Sequence, residues 1–167
     1  MVYIEVKPLN NHNVLFAQVF GRPKYPDIYG EVYFEAVPDG VMVYAYVTGL
    51  PTYKPGNPPI GPFGFHIHEH GDCTVGDENN PFQACGGHYN PRNEPHGNHA
   101  GDFPVLFSNN GVSYLAFLTN KFTLGEIVGR AVVIHENPDD YRTQPDGNAG
   151  KRIACGVIKP YTGEYNR

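Results

Sequence analysis

The 167-residue chain has no stretch of about 18 apolar residues, so no segment reads as a membrane-spanning helix. It has no run of Lys or Arg, and 17 acidic against 12 basic residues give a formal net charge of −5. That balance argues against nucleic acid and against a membrane surface as partners. The opening MVYIEVKPLNNHN has no apolar segment behind a basic flank. No secretory signal is read there, and a cytoplasmic location is the expectation. There is no repeat, charge block or flexible linker, and the length suits a single domain over 1–167.

Gly and Pro, by contrast, are abundant, at 20 and 16 residues. Without a collagen period they read as many turns and long ordered loops. The 12 Tyr and 10 Phe favour strands. Short β-type runs occur at Val2–Val6, Val14–Phe20, Glu31–Ala36, Val41–Val47, Phe63–His68, Val112–Leu118, Gly129–His135 and Ile153–Ile158. Asp39-Gly40 marks a tight turn between two of them. Only Leu124–Val128 hints at a helical turn. About eight strands predict an antiparallel Greek-key barrel or sandwich. Two long loops, 69–104 and 136–151, interrupt it. Loops of that length are uncommon unless functional, and each follows a strand that ends in histidine.

Seven of the eight histidines fall between His66 and His135. In GFHIHEHGDC, His66, His68 and His70 alternate, so an extended strand would put all three on one face. Periodicity leaves open whether all, two or none bind a metal. Further on come GGHYNP with His88, then HGNHAGD with His96, His99 and Asp102. His135 ends an apolar strand, where an isolated histidine is usually a hydrogen-bonded core group. Imidazole suits zinc and copper, and a carboxylate suits zinc, which commonly takes four ligands. The seven residues other than His70 make eight bonds if one imidazole uses both nitrogens, enough for two four-coordinate metals. Spacing alone does not show which.

In order, GFHIHEHGD, GGHYNP, HGNHAGD, VVIHENPDD and GNAGKRIACGVI resemble the copper/zinc superoxide dismutases. The resemblance is strong over roughly 64–158 and lies in strand pattern over the first 50 residues. It implies an eight-stranded Greek-key β-barrel holding one copper and one zinc ion per subunit. The copper ligands it implies are His66, His68, His88 and His135. The zinc ligands are His88, His96, His99 and Asp102, with His88 bridging. Asp139 is implied to hydrogen-bond one histidine of each set. Arg152 is implied to hold the superoxide anion, and His88 to carry a proton, as superoxide becomes dioxygen and hydrogen peroxide. His70 falls where the family places non-ligands.

The resemblance also implies a disulfide to Cys155. Cys73, directly after HEHGD as in bacterial-type members, is the favoured partner; Cys85–Cys155 is the alternative. Eukaryotic-type members are dimers, while bacterial-type members are monomers or pair through another face. This chain carries signatures of both, and a homodimer is the expectation. A copper donor is a further partner that the resemblance allows. Asp146 stands where many members carry a small polar residue beside the substrate channel, and an acid there is expected to slow an anion. Arg142 is a candidate to compensate. The insert Pro51–Pro62 is longer than usual and reads as a surface loop. The competing class is a non-catalytic metal protein, although no C-x-C thiol motif is present.

Overall fold

The computed structural model describes residues 13–56 and 60–163. Its strands are β1 (Val14–Gly21), β2 (Tyr29–Val37), β3 (Gly40–Thr48), β4 (Phe65–His68), β5 (Ser113–Thr119), β6 (Ala131–His135) and β7 (Arg152–Pro160). A single helical turn, α1 (Leu124–Ile127), precedes β6. Thr123 and Glu126 close it with a reciprocal capping box, which satisfies two otherwise unpaired donors.

Period-2 alternation explains the first half of the chain. In β3, Val41, Val43, Ala45 and Val47 are buried, while Met42, Tyr44 and Tyr46 face outward. In β1, Leu15, Ala17 and Val19 point inward against Val32 and Phe34 of β2. The Asp39-Gly40 turn falls where expected, because Val37 pairs with Gly40.

All strand pairs are antiparallel, in the order β4-β6-β7-β1-β2-β3-β5. The connections β3–β4, β4–β5 and β5–β6 each cross from one end of that order to the other, as in a Greek key. Eight were expected; seven are regular strands among the described residues, and Val2–Val6 lies outside them.

The loop expected over 69–104 is also partly paired. Gly101 O accepts from Ile67 N, and Asp102 and His88 bridge His66 and His68 respectively; just beyond the loop, Phe63 bridges Leu106 and Asn109 bridges Val112 at the entrance to β5. This stretch spans the two edges of the sheet, β4 and β5. Pro104 deprives it of one backbone donor, and its pairings remain isolated bridges.

Strands β4 and β6 differ from the rest because every residue in both is buried. Phe65 and Ile67 pair with Ile134 and Val132, and these four enter the main core. On the opposite face lie His66, His68, Ala131, Val133 and His135. The two long loops cover that face, turning what would be a solvent surface into a second interior.

Candidate metal centre

Two groups of ligand atoms meet in that interior. One is His66, His68, His88 and His135, and the other is His88, His96, His99 and Asp102. Within each group one nitrogen or oxygen per residue lies within 4.8 Å of the others. His70 is in neither group and is exposed.

Hydrogen bonds set which nitrogen of each ring stays free. His68 Nδ1 donates to Gly86 O at 3.0 Å and His135 Nδ1 donates to Gly150 O at 3.2 Å. A carbonyl only accepts, so both rings carry the proton on Nδ1 and present lone pairs at Nε2. Those two Nε2 atoms face each other 3.1 Å apart. Two lone pairs at that separation repel, and a cation between them removes the conflict. His66 and His96 are held the other way round. Each Nε2 donates to Asp139, at 2.7 Å to Oδ2 and 2.9 Å to Oδ1 respectively. Their Nδ1 atoms are buried with no hydrogen-bond partner.

His88 belongs to both groups and faces one with each nitrogen. Nδ1 lies 2.9 Å from Asp102 Oδ1, and Nε2 is buried and unpartnered. His99 Nδ1 is likewise orphaned, 3.4 Å from Asp102 Oδ1. Buried polar atoms without partners are costly. Four of them, on four histidines, aim at the centres of the two groups. Seven residues thus offer eight donor atoms, all-imidazole on one side and three imidazoles with a carboxylate on the other. The first set suits copper and the second zinc.

Electrostatics prepare the same donors. Burial, then the neighbouring imidazoles, hold His66 and His68 well below the usual histidine range. Burial, with His88, pushes His135 down to about 3. These rings are neutral at pH 7, the form in which imidazole binds metal. Asp102 stays ionised. Burial opposes its charge, but the hydrogen bond from His88 and the nearby rings lower its pKa overall.

The loops make close approach possible through glycine. A Cβ on Gly147 would sit 2.0 Å from Asp139 Oδ1 and 2.4 Å from His96 Nε2. Gly147 also has φ +67, so no side chain fits there.

A cleft of about 650 Å³ leads to His88 and His135. Arg152 and Lys151 line it, together with Glu69, Glu94 and Asp146. Arg152 is half-buried and anchored, with Nη1 donating to Phe82 O at 2.6 Å and Nη2 to Gly86 O at 2.7 Å. Asp146 is exposed in the lining; Arg142 is exposed and is not among the lining residues.

Cys73 pairs with Cys155, and Cys85 is a buried free thiol. Cys85 Sγ donates to Phe82 O and lies 3.5 Å from Arg152 Nη1. Burial pushes its pKa up, so the thiolate is disfavoured.

Several contributors carried no local signal in the sequence. The carbonyls of Gly86 and Gly150 fix two ring tautomers, yet a backbone acceptor has no side chain to announce it. Glu69 accepts from Gly87 N at 3.1 Å, just before His88.

A family model described as copper/zinc superoxide dismutase matches residues 28–158. The chain is 37% identical over 153 residues to a Cu-Zn superoxide dismutase of Legionella pneumophila, covering 87% of this chain and 86% of that protein. To superoxide dismutase [Cu-Zn] A of Xenopus laevis it is 38% identical over 148 residues, 79% of this chain and 89% of the relative. A crystal structure of a double mutant of a SOD-like protein from Bacillus subtilis superposes with a TM-score of 0.68. That pair is 32% identical and covers 86% of this chain and 96% of the other. Fold, donor groups and sequence agree: the chain belongs to the copper/zinc superoxide dismutase family.

Proposed function

We propose that the protein disproportionates superoxide, converting two superoxide ions and two protons into dioxygen and hydrogen peroxide. The observation that carries this reading is His88, whose two nitrogens serve two different donor groups. Copper in the first group supplies a one-electron couple, and zinc in the second a fixed positive charge.

The residues of the chain do the rest. Arg152, fixed on two carbonyls, keeps further N–H donors for a small anion in the cleft. Its anchors hold those donors in one orientation, so little entropy is lost when the anion arrives. His88 Nε2 is the place beside that anion where a proton is held and released to product. Asp139 holds His66 and His96 so that their Nδ1 lone pairs stay aimed inward. With a net charge of −5, capture depends on the local field of Arg152, Lys151 and the metals.

A homodimer is part of the proposal. A groove of about 460 Å³ beside the disulfide is lined by Phe16, Phe20, Tyr33, Val157, Pro160 and Tyr161, with Phe20 53% exposed. Such an apolar face suits a second copy of the chain.

The test is a dismutase assay on protein reconstituted with copper and zinc, with His135→Ala as control. Activity with one copper and one zinc per chain, lost in the variant, supports the reading. A protein that takes zinc but not copper would instead be a non-catalytic metal protein.

A further inference from the structure

Tyr141 lies in the second long loop, has φ +58, and is 40% exposed. A bulky residue in the left-handed region is rare and is held there by its surroundings. Its surroundings here are the pieces of the zinc-side group. Its N–H donates to Asp139 Oδ1 at 2.6 Å, the same oxygen that accepts from His96. Its carbonyl oxygen packs against Gly97, next to His96, where an added Cβ would come within 2.3 Å. Its hydroxyl reaches the chain just beyond Asp102, accepting from Val105 N at 2.9 Å and donating to Phe103 O at 3.2 Å.

We infer that Tyr141 is a positioning residue for the zinc-side group, clamping the Asp139 loop onto the segment that carries His96, His99 and Asp102. The hydroxyl fills one donor and one acceptor role on that segment at once. Phenylalanine would keep the ring and lose both. His66, His68 and His135 receive no contact from this hydroxyl, so the effect falls first on the zinc-side group and reaches His66 only through Asp139. The inference rests on the reading that His88, His96, His99 and Asp102 take zinc.

The experiment compares wild type with Tyr141→Phe and, as a second variant, Tyr141→Leu. Zinc affinity is read by competition with a chromogenic chelator, and the geometry of the group by the visible spectrum of Co²⁺ bound there. Loss of a direct outer hydrogen bond to a ligating group typically weakens metal binding by about 10–100-fold, and this hydroxyl acts one step further out, through Phe103 and Val105 beside Asp102. We expect weakening of about three- to tenfold in Tyr141→Phe, a changed Co²⁺ spectrum, and a clearly smaller loss of copper affinity. Tyr141→Leu is expected to match or exceed that loss. Unchanged zinc affinity and spectrum overturn the inference. So does an equal loss of copper affinity, or a fall in the melting midpoint of the metal-free variant as large as that of the loaded one, since either would make the hydroxyl a general structural support. If wild type itself binds no zinc, the functional reading fails, and that outcome is distinct from these.

Discussion

Asp139 and His66 are joined by a buried 2.7 Å hydrogen bond, and the other oxygen of the same carboxylate holds His96 at 2.9 Å. One side chain therefore orients a ring in each donor group. Asp139→Asn keeps the size but turns one acceptor into a donor, which one of the two rings cannot accommodate without flipping its tautomer. The expected result is a loss of metal affinity of about 10–100-fold for at least one ion, read by chelator competition. Unchanged affinity for both ions would remove Asp139 from this role.

Asp146 places a carboxylate in the cleft used by an anionic substrate. Asp146→Ala is expected to raise kcat/KM several-fold at low salt, and Arg152→Ala to lower it by about tenfold or more. The wild-type rate is expected to fall with added salt, as screening shortens the Debye length below about 10 Å. A rate that is flat or rises with salt would mean that the acids of the lining outweigh Arg152 and Lys151.

The metal-free protein is expected to lose stability in acid, starting near neutrality. His66, His68 and His135 are held neutral in the fold, the last down to about 3. The unfolded chain takes up protons near the ordinary histidine value of about 6.5, so below it the unfolded state binds more protons and folding weakens as pH falls. For His135 the loss accumulates between about 6.5 and about 3, at up to about 1.4 kcal/mol per pH unit. Chemical denaturation of the metal-free protein at a series of pH values checks this; a stability flat from pH 7 to 5 would contradict it.

The disulfide spans 82 residues of sequence. Cys73→Ser is expected to destabilise the fold by about 4–5 kcal/mol through restored unfolded-state entropy. Because the loop it anchors carries Phe82 and Gly86, the acceptors of Arg152, activity is expected to fall more than metal content does. Urea unfolding, with metal analysis alongside the assay, separates the two. Cys85→Ser is expected to leave the disulfide intact, as shown by peptide mapping under non-reducing conditions.

The barrel strands were legible wherever one face is buried and the other is wet. Val41–Val47 announces itself by alternation. Phe63–His68 and Gly129–His135 do not, since both faces are buried, and there the histidines gave the signal instead. The pairing of Leu106 with Phe63 is not legible locally, because Pro104 interrupts the extended path and the partner lies about 40 positions away. The ligand sets became legible through ordered motifs, not through period. His70 has the same spacing as its neighbours but lies beyond the end of β4, where alternation no longer assigns a face. Tyr141 was missed for a related reason. A loop tyrosine looks solvent-bound, and its partners at Phe103 and Val105 are far off in sequence.

Three of the four residues in the first donor group stand on strands, whereas His88, His96, His99 and Asp102 all lie outside regular strands. The two groups therefore differ in what binding must organise. Strand-borne donors are arranged by the hydrogen-bonded ladder and the core, so an ion entering there finds its cage largely built. Loop-borne donors leave many backbone torsions to be restrained, at about 1–2 kcal/mol per residue. The hydrogen bonds from Gly97 N and His99 N to Asp102 offset part of that cost within the chain itself. The ion that takes no part in redox chemistry is the one to which the folding of these loops is most tightly coupled.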